Sequence, residues 1–134
     1  MSEKNFHLEI VTPLALKFEG EVTMVRLPGV EGEMGILAGH APLLALLEPG
    51  VSEYRAKDLD FPLASGAGFV KVAENRVVVM VDSAERPEEI DAASAQAERE
   101  SIDRELAGHG GADQDDLRER RALAVAREKV AART

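Results

Sequence analysis

Few side chains in this sequence could carry covalent or metal chemistry. Cysteine is absent, which removes thiolate nucleophiles, disulfides and Cys-type zinc sites together and suits a reducing compartment. The three histidines stand apart: His7 in a strand-like run, His40 between Gly39 and Ala41-Pro42 in a turn, and His109 in a glycine loop. No carboxylate is spaced from His7 or His109 as a ligand pair would be, so no metal is expected. Ser65-Gly66 lacks the G-x-S-x-G setting of a hydrolase nucleophile, and no base can be assigned to it. Gly66 and Gly68 imitate part of a dinucleotide fingerprint but precede a strand rather than a helix, which voids the match. The chain reads as a protein that works by contact, without catalysis. Its most suggestive polar group is the loop Glu31-Gly32-Glu33-Met34, two acids on a tight turn, suited to pairing with Arg or Gln on short exposed loops of a neighbour. Such contacts are individually weak, so several are needed at once.

Composition narrows the partners. A chain of 134 residues with 45% apolar content can bury an ordinary core, although aromatics reach only 4% and Trp is missing. The core must be built from Val, Leu, Ile, Met and Ala. A net charge of −9 argues against nucleic acid and against direct docking on anionic lipid. No secretory signal is expected at the start of the chain. The most apolar stretch, Ile36–Leu47, contains Gly, His and Pro and is too short to span a bilayer, so membrane association must come through another protein. Charge is uneven: residues 87–111 hold 7 acids and 2 bases, whereas residues 112–134 hold 5 acids and 6 bases, which suggests separate tasks.

The first two-thirds reads as strands and turns. Phe6–Val11 alternates, and Leu14–Phe18 alternates again up to an expected turn at Glu19-Gly20-Glu21. Val22–Leu27 is a β-branched run stopped by Pro28-Gly29, and the glycines and prolines of the next stretch leave no room for a helix. Val51–Ala56 and Leu59–Ala64 form a hairpin across Lys57-Asp58, and Phe69–Val72 with Val77–Val81 a last one across Glu74-Asn75-Arg76. Many short strands without helical spacers predict an antiparallel sandwich or barrel over residues 1–86. At Pro87 the pattern changes. Glu88–Ala107 has no Gly or Pro, with Ile90, Ala93 and Ala97 on one face and Ala95, Ile102 and Leu106 beside them, at helical spacing. Gly108-His109-Gly110-Gly111 ends this helix, and a second runs from about Asp113 to Ala132 with Leu117, Leu123, Ala124 and Val130 inward. Residues 87–134 are thus expected to form an antiparallel two-helix hairpin with an alanine-rich, weakly held seam.

One stretch is more specific than periodicity. Gly29-Val30-Glu31-Gly32-Glu33-Met34-Gly35-Ile36-Leu37-Ala38-Gly39-His40-Ala41-Pro42-Leu43 resembles the G-x-E-G-E-x-G-x-x-x-G-H-A-P-L signature of epsilon subunits of the F-type, H⁺-transporting ATP synthase. Glu48-Pro49-Gly50, Ser65-Gly66-Ala67-Gly68-Phe69-Val70, Val79–Glu85 and the Arg- and Ala-rich Leu117–Arg127 are similar to further family segments, in order along the chain. The resemblance, of the bacterial and chloroplast type, implies a sandwich of about ten strands followed by the hairpin.

It also implies a non-catalytic role in the rotating central stalk. The sandwich grips the gamma subunit and rests on the c-ring, coupling proton-driven rotation to ATP synthesis, with Glu31, Gly32, Glu33, Met34, His40, Ala41 and Pro42 at those contacts. The hairpin is expected to extend into the catalytic alpha and beta subunits and inhibit ATP hydrolysis, with Arg118, Arg120, Arg121, Arg127, Lys129 and Arg133 available to acidic segments of beta. The bland alternative is a solvated face with pairs such as Asp116 and Arg120. Some relatives bind ATP through an I/L-D-x-x-R-A motif; Ile90, Asp91, Ser94 and Ala95 match it except that Ser94 stands at the arginine, so weak or no ATP binding is expected and no cofactor. The implied location is the cytoplasmic face of the bacterial inner membrane, as a peripheral protein without lipid insertion. An ATP-sensing switch and a free-standing β-sandwich binding module are the competing readings.

Overall fold

A computed structural model of the chain describes residues 4–108 and 114–133. Ten strands come first: β1 (Phe6–Val11), β2 (Leu16–Val22), β3 (Met24–Gly29), β4 (Gly32–Leu37), β5 (Leu43–Leu47), β6 (Gly50–Ala56), β7 (Leu59–Ser65), β8 (Gly68–Ala73), β9 (Arg76–Val81) and β10 (Ala84–Glu85). After a 3-10 turn at Pro87–Glu89 follow two helices, α1 (Ala92–Gly108) and α2 (Gln114–Ala131). The strands form one sheet in the order β10-β7-β6-β3-β5-β8-β9-β1-β2, with β4 added beside β3. Folded on itself, this sheet is the expected sandwich, close to a barrel.

Its interior is a single aliphatic core. Phe6, Leu8 and Ile10 alternate inward from β1, and Val77, Val79 and Val81 do so from β9, meeting Val25, Leu27, Ile36 and Val70. Three of the five aromatics share one seam, where Phe18 stacks on Tyr54 at 4.1 Å between centroids and Tyr54 on Phe61 at 5.1 Å. The hairpins at Lys57-Asp58 and Glu74-Asn75 form as expected, because all four residues take positive φ, between 52° and 64°, the backbone of a two-residue turn matched to strand twist.

Several details differ from the sequence reading. Glu19-Gly20-Glu21 is no turn: β2 runs through it opposite β1, and the chain bends at Thr23 instead. Gly20 lies under the Phe18 ring, where an added Cβ would come 3.2 Å from Cζ, so its glycine serves packing rather than reversal. Next, β1 pairs with β9 in parallel, so the sheet is mixed. Finally, Glu88 does not begin a helix. Glu89 turns back to accept the Arg86 N–H, Ile90 is extended, and α1 starts only after Asp91, whose carboxylate accepts the Ser94 N–H at 3.1 Å.

Pairs from Arg99 to Glu128 and from Asp103 to Arg121 show that the helices run antiparallel. In α1 the inward line is Ala95 and Ile102; Ala93 and Ala97, expected inside, are exposed, because a shift of two positions turns a helix face by about 200°. Leu117 and Leu123 are half-buried, and Ala124, Ala126 and Val130 are buried. Through Ala126 and Val130, α2 sits on Ala64 with Val51 and Ile90 around it. That apolar seat is small, in keeping with a weakly held hairpin. The loop expected at His109-Gly110-Gly111, and Asp113, lie outside the described residues.

Candidate interaction surfaces

The expected contact residues do not gather at one point. Val30 and Glu31 form the tip between β3 and β4, and Gly32, at φ +126°, makes the reversal possible there. Glu31 and Glu33 are exposed and Met34 is half-buried. The tip is tied sideways to β5 by the Val30 N–H donating to the Leu46 carbonyl at 3.0 Å. Together they border an open hollow of about 530 Å³ whose other wall is Leu43–Leu46. His40, Ala41 and Pro42 are also exposed, but six residues of β4 away, about 20 Å. There the His40 Nδ1 contacts the Ala41 carbonyl at 2.7 Å, and Asn75 accepts the Gly39 N–H while donating to the Asn5 carbonyl.

The sequence reading missed a larger feature. On the outer face of the sheet, Leu46 lies opposite Phe69, Phe69 opposite Met80, Met80 opposite Val11, and Val11 opposite Leu16. Leu44 lies one step along β5, facing Lys71. This apolar band crosses five strands, and its members are far from covered: Leu44 is 70% exposed, Leu46 64% and Leu16 54%. A contiguous exposed band of this kind marks an interaction surface. Its signal was in the sequence. Leu43–Leu47 and Val77–Val81 are unbroken apolar runs, whereas a strand wetted on one face alternates.

The cations of α2 divide into two groups. Arg127 pairs with Glu85 of the sandwich at 2.8 Å and reaches Glu98 of α1, Arg121 pairs with Asp103, and Arg133 pairs with the buried Glu53. Among the described residues Arg118, Arg120 and Lys129 have no ion-pair partner, and Asp116 does not bridge to Arg120. The Arg121 guanidinium, aided by Arg99, holds the Asp103 carboxyl below its ordinary range. The Arg86 N–H and the Lys17 ammonium do the same for Glu89. Of the degenerate nucleotide motif, Asp91 is engaged as the helix cap, Ile90 is half-buried under α2, Ser94 is exposed and Ala95 is buried in the seam.

A second expectation is overturned at His7. Read along the chain, no carboxylate suited it, yet the register of β1 and β2 places Glu21 directly opposite. Glu21 lies 3.2 Å from Nδ1, Glu19 3.1 Å from Nε2 and Glu9 3.6 Å from Nε2.

Residues 5–87 match the family model described as ATP synthase, Delta/Epsilon chain, beta-sandwich domain. The chain belongs to that family. Within the ATP synthase epsilon chains, it is 44% identical over 98 residues to that of Lawsonia intracellularis, covering 73% of this chain and 74% of the relative. It is 41% identical over 107 residues to that of Pelotomaculum thermopropionicum, covering 80% of each. Its fold matches a chain in the mitochondrial ATP synthase of Euglena gracilis with a TM-score of 0.76 at 20% identity, over 98% of this chain and 83% of that one. A chain in the central stalk/c-ring structure of the Tetrahymena thermophila mitochondrial ATP synthase matches with a TM-score of 0.65 at 14% identity, over 98% of this chain and 99% of that one. Among the described residues of this epsilon-family chain, no helix is long and apolar enough to cross a membrane.

Proposed function

We propose that this chain is a non-catalytic rotor subunit of the ATP synthase central stalk, docked by residues 1–86 and regulated by residues 87–134. The observation that carries the proposal is the exposed apolar band through Leu46, Phe69 and Met80, bordered at one end by the acid-tipped β3–β4 corner. The band offers the gamma subunit an apolar face without charged groups along its central row. The corner, with Glu31 and Glu33, offers carboxylates to the polar loops of the c-ring. His40, Ala41 and Pro42 serve the same assembly from the far end of β4. A stiff sheet held at both ends transmits torque, so proton-driven rotation reaches gamma and the catalytic sites.

The hairpin is the adjustable part. Folded on the sandwich, it keeps Arg127 and Arg133 occupied by Glu85 and Glu53 of the sandwich and Arg121 by Asp103 of α1, while Arg118, Arg120 and Lys129 face outward. Extension along gamma would release Arg127 and Arg133 from the sandwich and present them, with Arg118, Arg120, Arg121 and Lys129, to acidic segments of the beta subunits, close to alpha, and oppose ATP hydrolysis. Asp91 is already committed to capping α1 and Ser94 carries no guanidinium, which supports weak or absent ATP binding. The chain works at the cytoplasmic face of the bacterial inner membrane, held there by its partners.

The test is reconstitution of the cognate catalytic complex with the full chain and with residues 1–86 alone. Both forms are expected to cofractionate with gamma and the c-ring, and the shorter one to leave hydrolysis faster. Failure of either form to join gamma refutes the rotor assignment. Equal hydrolysis with both refutes the regulatory one.

A further inference from the structure

We propose that the outer face of β1 and β2 carries a divalent-cation site of the zinc type, with His7, Glu9 and Glu19 as ligands and Glu21 behind the histidine. Two periodicities assemble it. His7 and Glu9 are two apart on β1 and so share a face, and the antiparallel register sets Glu21 opposite His7 and Glu19 opposite Glu9. Four side chains able to bind or orient a metal thus stand on the corners of one rectangle of backbone ladder. One candidate ligand atom each from His7, Glu9 and Glu19 lies within 4.8 Å of the others. Bonds of about 2.0–2.2 Å to a tetrahedral ion require neighbouring ligand atoms about 3.3–3.6 Å apart, so only small side-chain adjustments are needed. Water would fill the fourth position.

The histidine's orientation points the same way. Metal-bound imidazoles commonly donate their other ring N–H to a carboxylate, which fixes the tautomer and turns the free nitrogen toward the ion. Glu21 lies 3.2 Å from Nδ1 and suits that role. With the proton on Nδ1, the Nε2 lone pair converges with a Glu19 oxygen at 3.1 Å and a Glu9 oxygen at 3.6 Å. In that tautomer three acceptors face one point, where a cation would relieve their repulsion as a proton on Nε2 otherwise does. Glu9 and Glu19 are also a directly opposed like-charge pair, an arrangement that costs stability in a sheet and that Arg76 relieves on the Glu9 side only. Neutral His7 with the two carboxylates balances a doubly charged ion; Arg76 donates at 2.8 Å to Glu9 Oε1, the oxygen that faces the ring, so Glu9 would share that oxygen with the ion or offer its other one. The ion would staple β2, the last strand of the sheet, to β1.

The plain alternative is an imidazolium paired with the three acids, and metal titration separates the two. Tag-free full chain is titrated with Zn²⁺ by calorimetry in a non-chelating buffer, and with Co²⁺ by visible absorption. One Zn²⁺ per chain is expected to bind saturably at micromolar concentration and to raise the melting temperature. His7→Gln and Glu19→Gln should abolish the saturable phase and the Co²⁺ bands, and Glu21→Gln should weaken binding about tenfold. Far-UV circular dichroism keeps folding in view, since these side chains lie on the outer face. Binding only at millimolar metal, or equal binding by wild type and His7→Gln, overturns the site. So does binding that survives His7→Gln and vanishes with His40→Gln or His109→Gln.

Discussion

Asp103 and Glu89 make the hairpin's attachment sensitive to acid. Both carboxyls titrate below their ordinary values of 3.8 and 4.5, Asp103 through Arg121 and Glu89 through the Arg86 N–H and Lys17. A carboxyl whose folded pKa is depressed binds protons more readily in the unfolded chain. Its contribution is present above the unfolded value and is lost as pH falls through the folded one. Melting temperature should therefore be steady at neutral pH and decline as pH drops below about 4.5, with Asp103→Asn melting lower at neutral pH and declining less steeply. Parallel declines of wild type and variant would show that this pair carries no such load. The His7 cluster illustrates what single-residue reading omits. Glu9 shares the strand of His7, but Glu19 and Glu21 come from the next strand in reversed order, so only the register gathers all four.

At the scale of elements, the hairpin is held by one small apolar seat and a few ion pairs. Ile102 is its largest fully buried side chain, and Ile102→Ala should cost about 2 kcal/mol, the low end for such truncations because the surrounding alanine seam can close. Hydrogen exchange should accelerate in α1 and α2 while β1 and β9 stay protected. Equal acceleration in the strands would mean that hairpin and sandwich unfold as one unit. Arg127→Ala should loosen α2 from Glu85 by about 1 kcal/mol, near the upper end for ion pairs because the side chain is largely covered. A distance probe between α2 and β7 would report it as a broadened distribution, and an unchanged distribution would remove Arg127 from the attachment. Elements were legible where local chemistry decides them: Lys57-Asp58 and Glu74-Asn75 are turn formers, and they turn. Gly20 misled because it looks like a turn residue but makes room for an aromatic ring. The parallel pairing of β1 with β9 joins strands from opposite ends of the sandwich sequence, and no local pattern encodes it.

For the whole molecule, the exposed faces matter more than any pocket. The signature from Gly29 to Leu43 carries the family resemblance, yet its residues split between two ends of β4, and the exposed apolar band through Leu46, Phe69 and Met80 lies outside it. Families are recognised by backbone-demanding glycines and prolines, while the gripping side chains need only be apolar and outward, which leaves a weaker mark. Docking of the sandwich on gamma, as proposed, would account for Leu44 and Leu46 being carried so openly. The most direct measurement is the affinity of the full chain for the cognate gamma subunit, with and without Leu46→Asp and Phe69→Asp together. Two charges set into the corner end of the band should weaken binding at least about tenfold, while the variant's melting temperature stays near that of wild type. Unaltered affinity in a folded variant would contradict the docking face, and with it the account of this chain as a rotor piece.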